Sequence, residues 1–277
     1  MNIAVVGLGL IGGSFCKAIS AKTEHSCFGI DTDKKTIACA LEDRAIVRSI
    51  DTNELCNMDM VIVCLFPQQT IDFILDNADN FKKGSIVIDS CGIKTSVCNA
   101  VSDTLREKDV CFIGCHPMAG REFSGYGYSL ENLFTNASFI TTPYNNTPEE
   151  KLRMLKDFAL SIGFSRVVVS TPEDHDSVIA FTSQLAHVVS NAYIKSPTLA
   201  MREGFSAGSF EDLTRVAKLN ENMWSQLFVL NKEPLLFEID TIINHLKQYR
   251  DAISSDNEAV LKELLREGRI LKENSIK

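Results

Sequence analysis

The chain has 277 residues, 45% of them hydrophobic, and a formal net charge of -8, long enough for one large or two ordinary domains with real cores. The acidic balance, with no basic stripe to meet phosphates, excludes a nucleic-acid partner, and no apolar run reaches the ~20 residues of a membrane span. The nine cysteines lie between Cys16 and Cys115 without CxxC pairs or zinc-type histidine spacing, which reads as reduced, mostly buried thiols and no metal site.

The chain opens directly on a predicted strand, Asn2 to Val6, so no secretory leader is expected and the expected location is cytoplasmic. That strand enters the run GLGLIG at Gly7 to Gly12; a helix follows from Leu10 to Ala21, then a second strand from Cys27 to Ile30, closed by Asp31. The order is that of a dinucleotide-binding unit. Gly7 permits the tight turn, Gly9 lets backbone approach a pyrophosphate, and Gly12 lets helix and strand pack closely. Leu10 and Ile11 open the helix whose N–H groups and partial positive charge face the phosphates. A carboxylate at Asp31 accepts hydrogen bonds from a ribose 2′-OH and repels a 2′-phosphate, predicting NAD rather than NADP.

Apolar runs at Met60 to Leu65, Ser85 to Ile88, Val110 to Ile113 and Ser138 to Thr141 suit parallel strands covered by helices on both faces. Pro148 to Ile162 is predicted as a helix and Val167 to Val169 as one more strand. From Pro172 the pattern turns helical, over Asp174 to Ile194, Asn220 to Ile253 and Glu258 to Lys272, broken by a Gly/Ser stretch from Gly204 to Ser209. The fold class expected is α/β: a Rossmann-type domain over 1–171, followed by an all-helical domain over 172–277.

Three groups of residues could carry chemistry. GCHPMAG, Gly114 to Gly120, follows a strand, so His116 stands at a carboxyl end, where open sheets bind ligands and where a nicotinamide would lie. It suits an acid or base near neutral pH; the plainer reading is a loop histidine capping local backbone. Gln184, His187 and Asn191 form a polar stripe on an otherwise apolar helix, either facing a ligand or making an interhelical or dimer contact. Within FEDLTRVA, Phe210 to Ala217, Arg215 could offer a planar fork to a substrate carboxylate or pair with Glu211.

GLGLIGGS, DSCGIK at Asp89 to Lys94, GCHPMAG with Glu122 just after, His175–Asp176, SQLAH at Ser183 to His187, FEDLTRVA and Trp224 together resemble the prephenate/arogenate dehydrogenase family, in order and over nearly the whole chain. The resemblance implies NAD-dependent oxidative decarboxylation of prephenate to 4-hydroxyphenylpyruvate, or of arogenate to tyrosine, in tyrosine biosynthesis. It implies His116 as base, Arg215 on a substrate carboxylate, and His187 near the substrate; Gln184, from the polar stripe, is a further candidate that would suit a keto acid. Glu122 could meet an ammonium or pair with Arg215. Many family members carry a serine where this chain has Gly92, and Ser90 and Cys91 are the neighbouring replacements; where some have a second histidine and a proline, this chain has Gln184 and Ala186. The resemblance also implies a homodimer built by the helical domain, in keeping with the many large apolar residues between 220 and 250. The rival readings are another Rossmann-plus-helical dehydrogenase and a non-catalytic NAD-binding regulator.

Overall fold

The computed structural model describes residues 1–121, 123–144 and 146–275. Its first part runs β1 (Asn2–Val6), α1 (Leu10–Lys22), β2 (Ser26–Ile30), α2 (Lys34–Glu42), β3 (Arg48–Ser49), β4 (Met60–Val63), α3 (Pro67–Asp76), β5 (Ile86–Asp89), α4 (Thr95–Glu107), β6 (Cys111–Pro117), β7 (Ser138–Thr142), α5 (Glu149–Ser161) and β8 (Arg166–Val169). Among the described residues these eight strands form one sheet in the order β3-β2-β1-β4-β5-β6-β7-β8. Alternate residues of the central strands feed two cores, Ile3, Val5, Ile62 and Ile88 on one face and Ala4, Val6, Val61, Val63 and Val87 on the other. Strands buried on both faces lose the polar/apolar alternation of a half-exposed strand, hence the continuous apolar runs.

The strand order reverses between β1 and β4, the switch point at which doubly wound sheets open a ligand crevice. Gly7 leaves β1 there.

One strand departs from the expected pattern. β7 runs antiparallel to β6, pairing Gly114 with Thr142 and His116 with Ile140. A parallel neighbour needs a crossover to the other end of the sheet, usually a helix. Between β6 and β7 the described residues hold only a single 3-10 turn, Tyr126–Tyr128, so the chain stays at the same end and comes straight back. β6 is also longer than its apolar run suggested. It pairs with β5 over Cys111 to Ile113 and with β7 over Gly114 to Pro117, so His116 lies inside a strand rather than in a loop.

Beyond β8, the chain forms α6 (Pro172–Ile179), a π turn (Ala180–Gln184), α7 (Leu185–Tyr193), α8 (Gly208–Thr214), a 3-10 turn (Arg215–Ala217), α9 (Glu221–Leu230), α10 (Lys232–Ser254) and α11 (Glu258–Ser275). The helix expected from 220 to 253 is thus two, interrupted at Asn231. The chain divides into two compact units, 1–231 and 232–277. The second consists of α10 and α11, joined where the Tyr249 hydroxyl donates to the Leu264 carbonyl at 3.2 Å. No helix among the described residues is long and apolar enough to cross a membrane.

Candidate active site

The turn after β1 shows three different glycines. Gly7 has φ +81°, and a Cβ on it would stand 2.6 Å from the Cys64 carbonyl oxygen. At Gly12 a Cβ would stand 1.9 Å from the Gly7 oxygen. Both are demanded by packing. Gly9 is different: among the described residues, a Cβ there would meet none beyond its own chain neighbours within 4 Å. As the N-cap of α1 it offers no side-chain cap, and helix geometry leaves the N–H groups of Leu10, Ile11 and Gly12 without partners inside the helix. The open space above Gly9 therefore fits a pyrophosphate on those groups. Asp31, just past β2, accepts from the backbone N–H groups of Leu8 at 2.7 Å and Asp33 at 2.8 Å, which fix its carboxylate beside the glycine turn.

A second cluster forms where β5, β6, α4 and α6 converge. Asp89, the last residue of β5, is fully buried and accepts from the Cys115 N–H at 2.9 Å and the Cys91 N–H at 3.0 Å. It pairs with the equally buried ammonium of Lys94. Burial is the strongest influence on Lys94 and acts to lower its pKa, but the charge and hydrogen bond of Asp89 together with the neighbouring Cys91 and Cys98 outweigh it and raise the value above the usual lysine range. This ion pair holds the turn Ser90–Ile93 across the end of β5. At the start of α4, the N–H groups of Lys94 and Thr95 donate to the Asp176 carboxylate at 2.7 and 2.8 Å.

Asp176 and His175 sit on α6, which begins with Pro172 after a Thr171 cap, a start suited to a proline whose missing N–H would have no partner. His175 Nδ1 lies 2.8 Å from Asp176 Oδ1, and its Nε2 lies 2.9 Å from Nδ1 of His116. His175 and Asp176 are buried, whereas His116 is partly exposed. Burial, with His175 and the Lys94 charge adding to it, pushes the His116 pKa well below the usual imidazole value. Burial alone would raise the Asp176 pKa, but hydrogen bonds from His175, Thr95 and Lys94 outweigh it and lower the value. His116 is therefore neutral at physiological pH, with a carboxylate two hydrogen bonds away.

Gly92 borders the His116 ring: a Cβ on it would lie 3.9 Å from His116 Cε1 and 3.7 Å from the Leu227 side chain, ordinary contact distances. Cys91 does not take the place of the missing serine side chain. Cys91 is buried and points to the Leu65 carbonyl and the Thr70 hydroxyl.

Leu227 ties this cluster to the helices. One turn earlier on α9, Trp224 stacks on His187 with ring centroids 3.8 Å apart, and His187 Nδ1 lies 3.0 Å from the Ser183 carbonyl. Asn191, one turn further along α7, donates to the Ala217 carbonyl at 3.3 Å, bringing α7 against the 3-10 turn that carries Arg215. Gln184 does not join an open polar stripe. It is 1% exposed, donates to the Leu227 carbonyl at 3.3 Å and accepts from Asn231 at 2.8 Å. With both ends of its amide held inside the protein, it fastens helices together and is not on a face that a substrate could reach. Glu122 lies outside the described residues.

The residues that sequence reasoning left without roles are Asp89, Lys94, His175, Asp176 and Asn231. Their signal was faint: an acid and a lysine in one short turn, and a His–Asp pair in the first turns of a proline-started helix.

Comparison with known proteins agrees with this arrangement. The model of the prephenate dehydrogenase nucleotide-binding domain matches residues 15–169, and that of the prephenate dehydrogenase dimerization domain matches residues 171–267. The chain belongs to the prephenate dehydrogenase family. It is 31% identical to the cyclohexadienyl dehydrogenase of Zymomonas mobilis, over 97% of this chain and 94% of that protein. Among solved structures it is similar to prephenate dehydrogenase from Aquifex aeolicus in complex with hydroxyphenyl propionate and NAD+, with a TM-score of 0.88 and 27% identity, covering 99% of this chain and 98% of that one. It is also similar to Synechocystis arogenate dehydrogenase, with a TM-score of 0.85 and 27% identity over the whole of both chains. This family membership makes the chain a dehydrogenase with a nucleotide-binding domain, and leaves no support for a non-catalytic regulator.

Proposed function

We propose that this protein oxidises prephenate to 4-hydroxyphenylpyruvate and CO2 while reducing NAD+ to NADH, the oxidative step of tyrosine biosynthesis. The observation that carries the reading is His116: a neutral, partly exposed imidazole beyond the carboxyl end of β5, fixed from behind by His175. The protein similar to it from Aquifex aeolicus, crystallised with NAD+ and an aromatic acid, supports the choice of cofactor and substrate class.

Leu10, Ile11 and Gly12 would hold the pyrophosphate above Gly9, and Asp31 the ribose diol. When bound, NAD+ supplies the hydride acceptor. His116 accepts a hydrogen bond from the ring hydroxyl and takes its proton as the carbonyl forms. Arg215 holds a substrate carboxylate by its planar fork. The Trp224-backed His187 bounds the substrate on the helical side, and Gly92 borders the His116 ring. Hydride departure, CO2 loss and aromatisation proceed together downhill, so the main task of the protein is orientation.

Arogenate, which carries an ammonium in place of the side-chain keto group, is the second reading, favoured by the similarity to the Synechocystis enzyme. A site for it gains from an unpaired carboxylate, a prephenate site from neutral donors or cations. NADH formation at 340 nm with each substrate and each of NAD+ and NADP+ decides: greater kcat/KM with arogenate overturns the first reading. On either reading Arg215→Ala raises KM for the organic substrate far more than for NAD+. The functional boundary belongs near 171, supported by the two domain models meeting there. A homodimer completes the proposal, supported by the dimerization-domain match and by the exposure of Phe237, Leu246, Leu265 and Leu271 on α10 and α11; a monomeric mass by light scattering at micromolar concentration would contradict it. A cytoplasmic location agrees with all nine cysteines being free thiols.

A further inference from the structure

The His175–Asp176 pair is buried, and its hydrogen bonds bear on which nitrogen of His116 can act. Asp176 receives two backbone N–H bonds and its pKa is lowered, so it is a carboxylate and can only accept. His175 Nδ1, 2.8 Å away, must then donate. The remaining His175 nitrogen, Nε2, is in the neutral ring an acceptor, and the atom 2.9 Å from it is His116 Nδ1. With His175 in this neutral form, His116 Nδ1 is the nitrogen that carries the proton, which leaves the lone pair on Nε2.

We propose that His175 and Asp176 are positioning residues which lock His116 in the tautomer protonated at Nδ1 and spread the positive charge that His116 acquires when Nε2 takes a proton. The opposite tautomer would turn an N–H toward the substrate hydroxyl and could accept nothing from it. Once Nε2 is protonated, the Nδ1–H of the imidazolium donates to His175, whose Nδ1–H donates to Asp176, so the new charge faces a carboxylate through two hydrogen bonds. Asp176 is itself held by the N-terminus of α4, directly after the turn containing Gly92, so one carboxylate sets both the ring behind the base and the loop beside it. The charged groups around His116 are Lys94, which opposes a second positive charge, and Asp176, which favours it. The inference rests on His116 being the base of the proposed reaction, but the tautomer itself can be read without substrate.

The test combines ¹⁵N NMR of histidine-labelled protein with kinetics of His175→Phe, His175→Gln and Asp176→Asn. In the parent protein His116 is expected to show a protonated Nδ1 and an unprotonated Nε2 near pH 8. His175→Phe keeps the ring volume and removes the acceptor; kcat should fall ~10²-fold, within the range set by positioned proton transfer, with KM for substrate and NAD+ changed by no more than about twofold. His175→Gln, whose carbonyl can again accept from Nδ1, should recover about a tenth or more of that loss while folding like the parent. Asp176→Asn should reverse the donor order and populate the Nε2-protonated ring, as replacing the orienting carboxylate does in a serine protease triad. An unprotonated Nδ1 on His116 in the parent, or parent-like kcat in His175→Phe, overturns the proposal. Parent-like turnover in His116→Asn instead overturns the role of His116 as base and leaves the tautomer assignment standing.

Discussion

Replacing Lys94 by methionine removes a charge whose side chain is 0% exposed from a partner whose side chain is also 0% exposed. The side-chain volume is nearly kept, so cavity formation adds little, and the cost comes from the Asp89 carboxylate left without its cation. Breaking a buried ion pair by removing one partner costs ~3–5 kcal/mol. Asp89 keeps the N–H groups of Cys91 and Cys115, which places this case toward ~3 kcal/mol, a roughly 10²-fold fall in the ratio of folded to unfolded protein. At ~2–4 °C per kcal/mol for a chain of this size, the melting temperature drops by at least about 6 °C. Urea unfolding followed by circular dichroism measures the loss. Adding Asp89→Asn in the same chain removes the stranded charge, so the double variant is expected to be no less stable than Lys94→Met, a clear departure from additivity. A Lys94→Met protein within roughly 1 kcal/mol of the parent, or a double variant showing the full sum of the two losses, would refute the view that this ion pair holds the turn.

Gly9→Ala is expected to leave unfolding unchanged and to weaken NAD+ binding, since among the described residues none beyond its own chain neighbours lies within 4 Å of the new methyl group. Gly7→Ala should lower stability by about 1–3 kcal/mol through its positive φ and a 2.6 Å clash with the Cys64 oxygen; unfolding curves paired with NAD+ titrations check both, and equal effects on the two would contradict the assignment. His116→Asn should lower turnover by ~10²-fold with little change in NAD+ affinity. Because the folded His116 pKa is depressed, the base form survives as the pH falls, and its limb in kcat/KM lies below the ~6.5 of an ordinary histidine. The same shift acts on stability in one direction: below ~6.5 the unfolded chain binds a proton that the folded chain refuses, so this contribution destabilises as the pH falls and vanishes above that value. A limb at or above 6.5 that disappears in His116→Asn would contradict the depressed pKa of the ring.

The nucleotide-binding half was legible in the sequence because its constraints are local. Gly7, Gly9 and Gly12 report backbone geometry within six residues, and strands buried on both faces announce themselves as continuous apolar runs. Such runs carry no direction, so β7 read the same whether parallel or antiparallel, and what decided it was that the described residues between Pro117 and Ser138 hold no crossover helix. The family motifs marked His116 but not what stands behind it. His175 is 59 residues away and Lys94 is 82 residues from Asp176, separations at which sequence periodicity says nothing about contact. Gln184 shows the limit most sharply: the helical spacing put it on a polar face with His187, and the tertiary structure turned both ends of its amide onto Leu227 and Asn231. Sequence determines which side chains can donate, accept or titrate; which of them meet, and so which nitrogen of His116 is left with a lone pair, follows from the burial that forces each polar group to find a partner.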